Sequence, residues 1–220
     1  MQVLRTRDGR RTRAPSRTSV IAAAAVLAAV LAVLTTADVL AGGALRRFDA
    51  WTFASGLPPR TGVRHMIWRT IVNGGQYWIV GSLTALAALY AAWRDRAPGV
   101  AVRAALWLVT ALAATRGAQY LFARTPPLDG RDALFQDGFL SYPSGHAANA
   151  AGCLLMIAVL LRASRRWTAA AAVLAAAVAV ATVTLGYHWP TDALAGWALG
   201  TALGCAGALL VPGRSGEPGE

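Results

Sequence analysis

The sequence predicts an all-α integral membrane protein, a bundle of six transmembrane helices, on three observations. Of its 220 residues 56% are hydrophobic and 14% charged, with a mean hydropathy of +0.46. Soluble domains lie nearer ~45–50% apolar and ~25% charged, and a disordered chain needs low hydrophobicity, so both classes are excluded. Six apolar segments qualify or nearly qualify for the roughly 20 residues that cross a bilayer. The 21 basic residues are all arginine, cluster between those segments and set a formal net charge of +11. That placement suits loop arginines that orient a membrane protein, and no nucleic-acid partner is expected.

The first span, Ser19 to Ala37, follows a tail bearing six arginines. A basic start before an apolar run also fits a cleaved signal peptide, with Thr35-Thr36-Ala37 as a passable small-residue site. The length of the run and the spans that follow favour a retained helix. The second span is placed at Gln76 to Trp93 and the third at Ala104 to Phe122, with Arg116 inside it. The fourth runs from Ser144 to Leu161, the fifth from Trp167 to Tyr187 and the sixth from Ala193 to Val211. Alanine-rich faces such as Ala169 to Ala181 suit close helix packing in a membrane. Trp93, Trp167 and Trp189 lie near span ends, where tryptophans anchor the interface. Cys153 and Cys205 sit inside apolar runs and read as small buried hydrophobes, with no disulfide or zinc pattern.

With the amino terminus in the cytoplasm, 13 of the 21 arginines fall on the cytoplasmic side, including Arg94, Arg96, Arg103, Arg162, Arg165 and Arg166. Both termini are therefore expected inside. Residues 1–18 read as a basic cytoplasmic tail, 19–211 as the membrane domain and 212–220 as a short polar tail. The oligomeric state is not legible.

Two loops then share the outer face and hold most of the unusual polar residues, which at membrane depth point to function. The first ends in Ser141-Tyr142-Pro143-Ser144-Gly145-His146 and leads into the fourth span. Ser144 is a good N-cap, Gly145 permits close approach, and the free amides of a helix start form an anion site. An ordinary capped helix is the plain alternative. The second is Gly186-Tyr187-His188-Trp189-Pro190-Thr191-Asp192. Pro190 suits a first helical position and Asp192 the first turn. From there Asp192 could accept a hydrogen bond from one nitrogen of His188 and leave the other free as a nucleophile, a base–orienter pair. A helix cap beside an interfacial histidine is the plain alternative.

Together the two clusters make the sequence resemble the type 2 phosphatidic acid phosphatase superfamily, over roughly Arg116 to Gly200. The second family motif stands as Pro143-Ser144-Gly145-His146, and the carboxyl half of the third as His188-Trp189-Pro190-Thr191-Asp192. The resemblance implies that His188 attacks phosphorus and forms a phosphohistidine, that Asp192 orients it, and that His146 protonates the leaving oxygen. It implies no metal and no other cofactor. Phosphoryl transfer needs positioning and charge neutralisation above all.

The family's remaining cations are altered. The first motif, lysine, six residues, then arginine-proline, falls on Arg116 to Pro127; one alignment puts Gln119 at the lysine place and another leaves Arg124 at the arginine place, with Arg116 one residue off. Thr182 stands at the third motif's arginine place. Ser144, Gly145, Arg124, Arg116 and Thr182 are thus the candidate phosphate-binding positions, Arg124 ahead of Arg116, which could instead snorkel to the interface. Arg131 and Asp132 read as solvated surface rather than a lid pair, and Asp38 and His65 as interfacial.

The expected function is metal-independent hydrolysis of a lipid phosphate monoester or a polyprenyl diphosphate of the undecaprenyl type, at the extracytoplasmic face. A phosphotransferase with another acceptor is a rival of the same class. A weak or inactive member that binds anionic lipid or serves a membrane complex is a rival of another class. A transporter is disfavoured, because the runs Trp167 to Tyr187 and Ala193 to Val211 carry no charge near mid-membrane.

Overall fold

The computed structural model describes residues 16–211. The two expected tails, 1–15 of the first and all of 212–220, lie outside the described residues. Six long helices form the bundle: α1 (Arg17–Ala41), α4 (Tyr77–Arg94), α5 (Gly99–Phe122), α6 (Gly145–Leu160), α7 (Arg165–Thr184) and α8 (Pro190–Leu210). Two short helices, α2 (Ala44–Thr52) and α3 (Gly62–Val72), fill the segment between α1 and α4, where no span is expected from the sequence. Of the long helices, α1, α5, α7 and α8 are long and apolar enough to cross a membrane. Helix α6 is as apolar but shorter, and α4 has 18 residues.

Short turns at 95–98, 161–164 and 185–189 make successive helices antiparallel. One end of the bundle therefore gathers the starts of α4, α6 and α8 with the ends of α5 and α7. Arginines crowd the other end, where Arg94 and Arg162 both pair with Asp95, at 2.8 and 3.1 Å.

Helix α8 is the axis, packed on α1 and α6. Its glycines 196, 200 and 204 recur every fourth residue and so form one stripe. A Cβ at Gly196 would run into the Ser144 carbonyl, one at Gly200 into that of Ala148, and one at Gly204 would lie 3.1 Å from the Cα of Gly152. Missing side chains thus let two backbones touch, which is how helices associate where lipid offers no hydrophobic driving force. The outer faces carry Leu27, Val30, Leu86, Leu106, Val109 and Val173, all exposed. On a soluble protein such a surface would be a liability, whereas acyl chains match it. Trp51 and Trp78 at one end and Trp93 and Trp167 at the other are exposed as belts require. Trp189 is not an anchor: it is 5% exposed, and its indole donates to the Thr125 carbonyl at 2.8 Å.

Candidate active site

The turn after α7 depends on Gly186, whose φ of +70° is open to glycine at no steric cost. It folds the chain back so that Tyr187 and His188 both donate their backbone N–H to the Thr182 carbonyl, at 3.0 and 3.3 Å. Pro190 then opens α8, and the Asp192 carboxylate accepts the Trp189 N–H at 3.0 Å, so the expected first-turn placement holds.

The start of α6 meets this turn. Ser144 caps α6 by accepting the Ala147 N–H at 3.4 Å, while its own N–H donates to the Asp192 carbonyl at 2.9 Å. Among the described residues the N–H groups of Gly145 and His146 have no acceptor. They are the donors that a helix start offers to an anion.

His188 is held by Ser141. Its Nδ1 lies 2.9 Å from the Ser141 carbonyl and 3.3 Å from the Ser141 hydroxyl. A carbonyl only accepts, so Nδ1 carries the proton and the lone pair stays on Nε2. The Asp192 carboxylate is 3.6 Å from Nδ1, too far for the direct bond expected from sequence. The Ser141 hydroxyl donates to Asp192 instead and stands between the two.

Both histidines line a cavity of about 170 Å³, together with Gly145, Arg116, Gln119, Asn149, Gln76 and Tyr77. The imidazole centroids are 6.2 Å apart, with ring planes at 65°. Arg116, exposed on α5, donates to the Gln119 side-chain oxygen at 3.0 Å, and the Gln119 amide donates to the Pro143 carbonyl at 3.0 Å. Gln119 thus ties Arg116 to the loop that starts α6.

Arg124 lies elsewhere, at 0% exposure beneath the site and outside the cavity lining. Its guanidinium donates to Asp49 and Asp132 at 2.8 Å and to Asp192 and Thr191 at 2.7 Å. Burial works against this charge, yet Asp192, Asp132 and Asp49 outweigh it and hold the group protonated. Asp49 also accepts the Thr191 N–H at 2.9 Å, which fastens α2 to the start of α8. Burial alone would raise the Asp132 carboxyl, but hydrogen bonds from Arg124 and Arg46 hold it below the usual carboxylate value. Asp132 is therefore neither solvated surface nor paired with Arg131, which bonds Asp129 at 2.9 Å. Asp38 accepts the Arg46 backbone N–H at 2.9 Å, and His65 on α3 is not among the cavity-lining residues.

The family model of the PAP2 superfamily matches residues 119–215, a stretch that holds both histidine motifs and α6 to α8. The fold also matches the crystal structure of a transmembrane PAP2-type phosphatidylglycerolphosphate phosphatase from Bacillus subtilis, with a TM-score of 0.64 at 21% identity. That match covers 85% of this chain and 93% of the other. No curated protein matches the chain by sequence.

Of the candidate site positions, the cavity gathers His146, His188, Gly145 and Arg116, and Ser144 borders it as the α6 cap. Asp192 reaches it through Ser141. Thr182 is at 0% exposure, its hydroxyl turned back onto the Ala179 carbonyl at 2.7 Å, and it serves His188 through its own carbonyl. Three residues that frame the site have no assignment from the sequence: Ser141, Asp49 and Gln119 as the partner of Arg116. Asp49 sits 75 positions from Arg124 in a short amphipathic helix, and no local pattern marks it. Ser141 holds His188 with its backbone carbonyl and reaches Asp192 with its hydroxyl, a pairing across 47 and 51 positions that no local pattern marks.

Proposed function

We propose that this protein is a lipid phosphatase that works through a phosphohistidine at the extracytoplasmic end of the bundle, without a metal. The carrying observation is the facing pair His146 and His188 in one cavity beside the unpartnered N–H groups of α6. The likeness to a PAP2-type phosphatidylglycerolphosphate phosphatase supports a phosphate on a lipid headgroup as substrate. The candidates are phosphate monoesters and polyprenyl diphosphates.

In this reading the phosphoryl oxygens rest on the Gly145 and His146 amides and the Arg116 guanidinium, whose charges offset what develops in the transition state. Nε2 of His188 forms the bond to phosphorus as the bond to the lipid oxygen breaks, and that oxygen takes a proton from His146. The Nδ1 proton of His188 stays on the Ser141 carbonyl, with Asp192 behind Ser141 to balance the positive ring. Water then attacks phosphorus, gives its proton to His146, and the N–P electron pair returns to Nε2. Arg124 acts by holding Asp192 and Asp49, as a positioning residue rather than a phosphate ligand. The arginine-rich opposite end supports a cytoplasmic location for that end, with both termini inside.

The test is phosphate release by detergent-purified protein from a panel of lipid phosphates and diphosphates, in chelator, beside His188→Ala. Release that disappears in the variant supports the reading. No release across the panel from folded protein would favour a lipid-binding or partner role.

A further inference from the structure

The segment between α1 and α4 turns apolar side chains outward at the end of the bundle that holds the site. Helix α3 has two faces. On one, Trp68, Ile71 and Val72 pack on Ala181, Leu185 and Tyr187, just ahead of His188. On the other, Val63, Met66 and Ile67 are 73%, 67% and 54% exposed. Spacings of three and four residues put these three in one stripe, and Arg64 and Arg69 fall on its two flanks. Helix α2 repeats the pattern, with Leu45, Phe48 and Trp51 outward and Asp49 buried. A short helix with an exposed apolar stripe edged by arginine has the form of an element that lies along a bilayer interface.

The arginines identify what covers the stripe. With the termini inside, this segment is extracytoplasmic, where arginine is disfavoured, yet it holds five, at 46, 47, 60, 64 and 69. Arg46 is taken by Asp132 at 2.7 Å, and Arg47 donates to the Gly42 carbonyl at 3.1 Å. Arg60, Arg64 and Arg69 are exposed and, among the described residues, pair with no carboxylate. The sequence has no Asp or Glu between Asp49, which Arg124 holds, and Asp95 at the opposite end of the bundle. A nucleic acid or an acidic protein loop would match these cations but leave the stripe in water. Acyl chains match the stripe, and phosphates at headgroup depth match the cations beside it. We propose that α3 is a docking surface for anionic lipid of the leaflet that faces the site, with Val63, Met66 and Ile67 among the acyl chains and Arg60, Arg64 and Arg69 on the lipid phosphates. From the lipid phosphatase reading it takes only the membrane orientation. Helix α3 runs into the turn Asn73–Gly75, whose last residue lines the catalytic cavity with Gln76 and Tyr77 and leaves no room for a Cβ against the His146 carbonyl. Phosphate lipids gathered by α3 therefore collect at the wall of that cavity.

The test uses the full chain carrying Met66→Cys, labelled at that position with a thiol-reactive fluorophore; Cys153 and Cys205 are buried. His188→Ala is present throughout, so no lipid is consumed. The protein is reconstituted into phosphatidylcholine vesicles that contain equal fractions of either phosphatidylglycerol or phosphatidylcholine brominated on the acyl chains near the headgroup. The expected result is quenching by both lipids, at least about twofold stronger with the anionic one. Arg60→Gln with Arg64→Gln and Arg69→Gln should remove the preference, as should salt at about 1 M, which screens exposed charges beyond ~3 Å. The same three positions changed to lysine keep the charge and should keep the preference. Arg96→Gln with Arg165→Gln and Arg166→Gln, at the opposite end, should leave it unchanged. Equal quenching by the two lipids, or a preference that survives the glutamine substitutions at α3, overturns the proposal. Absence of quenching also overturns it and gives the stripe to a protein partner. None of these readouts needs turnover, so a failure here leaves the phosphatase reading standing, and a protein that releases no phosphate can still show the preference.

Discussion

Arg124→Met distinguishes a frame from a phosphate ligand. The substitution keeps the volume of the side chain near that of arginine but deletes a guanidinium that contacts three carboxylates at 2.7–2.8 Å, two of which, Asp49 and Asp192, are fully buried. Removing one partner of a buried ion pair costs roughly 3–5 kcal/mol, because a charge is left in the interior without compensation. Asp49 retains Thr191, and Asp192 retains Ser141 and the Trp189 N–H, so the lower half of that range is the reasonable floor. At about 2–4 °C per kcal/mol for a chain of this size, the midpoint of thermal unfolding should fall by about 6–16 °C. Intrinsic tryptophan fluorescence of the detergent-purified variant reads this directly, since Trp189 lies against Arg124, 5.4 Å from the ring centre. Arg124→Lys retains the charge but not the forked geometry, and should fall between the variant and the parent. A midpoint within 2 °C of the parent in Arg124→Met, with only KM raised, would refute the framing role and return Arg124 to the phosphate.

Gly200→Ala should destabilise by about 1–3 kcal/mol through forced separation of α6 and α8, whereas Gly117→Ala, which meets nothing within 4 Å in α5, should be neutral or stabilising by up to about 1 kcal/mol; urea or thermal midpoints of the pair check this. Thr182→Arg should lower both stability and activity, because the position is fully buried and outside the cavity; a rise in turnover would show that an arginine there reaches the phosphate. The Asp132 carboxyl titrates below its ordinary value of 3.8, so its contribution to stability is complete above that pH and is lost as the pH falls through the lowered value. Asp132→Asn should therefore have a lower midpoint than the parent at pH 6, and the gap should narrow under acid conditions.

The long helices were legible because length and hydropathy alone decide a span, and the observed helices α1 and α4 to α8 fall on the segments read from sequence. Helices α2 and α3 were not, since nine and eleven residues of mixed polarity give no transmembrane signal and are held by tertiary contacts. The same limit hid the site's frame. His188 and Asp192 are one turn apart and their local geometry was readable, but Ser141 enters from 47 positions away and displaces the direct bond. For Arg124, the sequence suggests a phosphate ligand, and only the three-dimensional arrangement reveals the three carboxylates around it. Trp189 was read from its position at a span end, yet its indole points inward to Thr125.

Trapping of the covalent intermediate decides whether His188 is the nucleophile. Purified protein is mixed with a lipid phosphate, quenched in alkali within the first turnover, digested, and the peptide carrying His188 is weighed. The expected result is one added phosphoryl group on His188, present in the parent and missing from His188→Ala. Turnover in the parent with no phosphoryl group on His188, or steady release by His188→Ala, would contradict it.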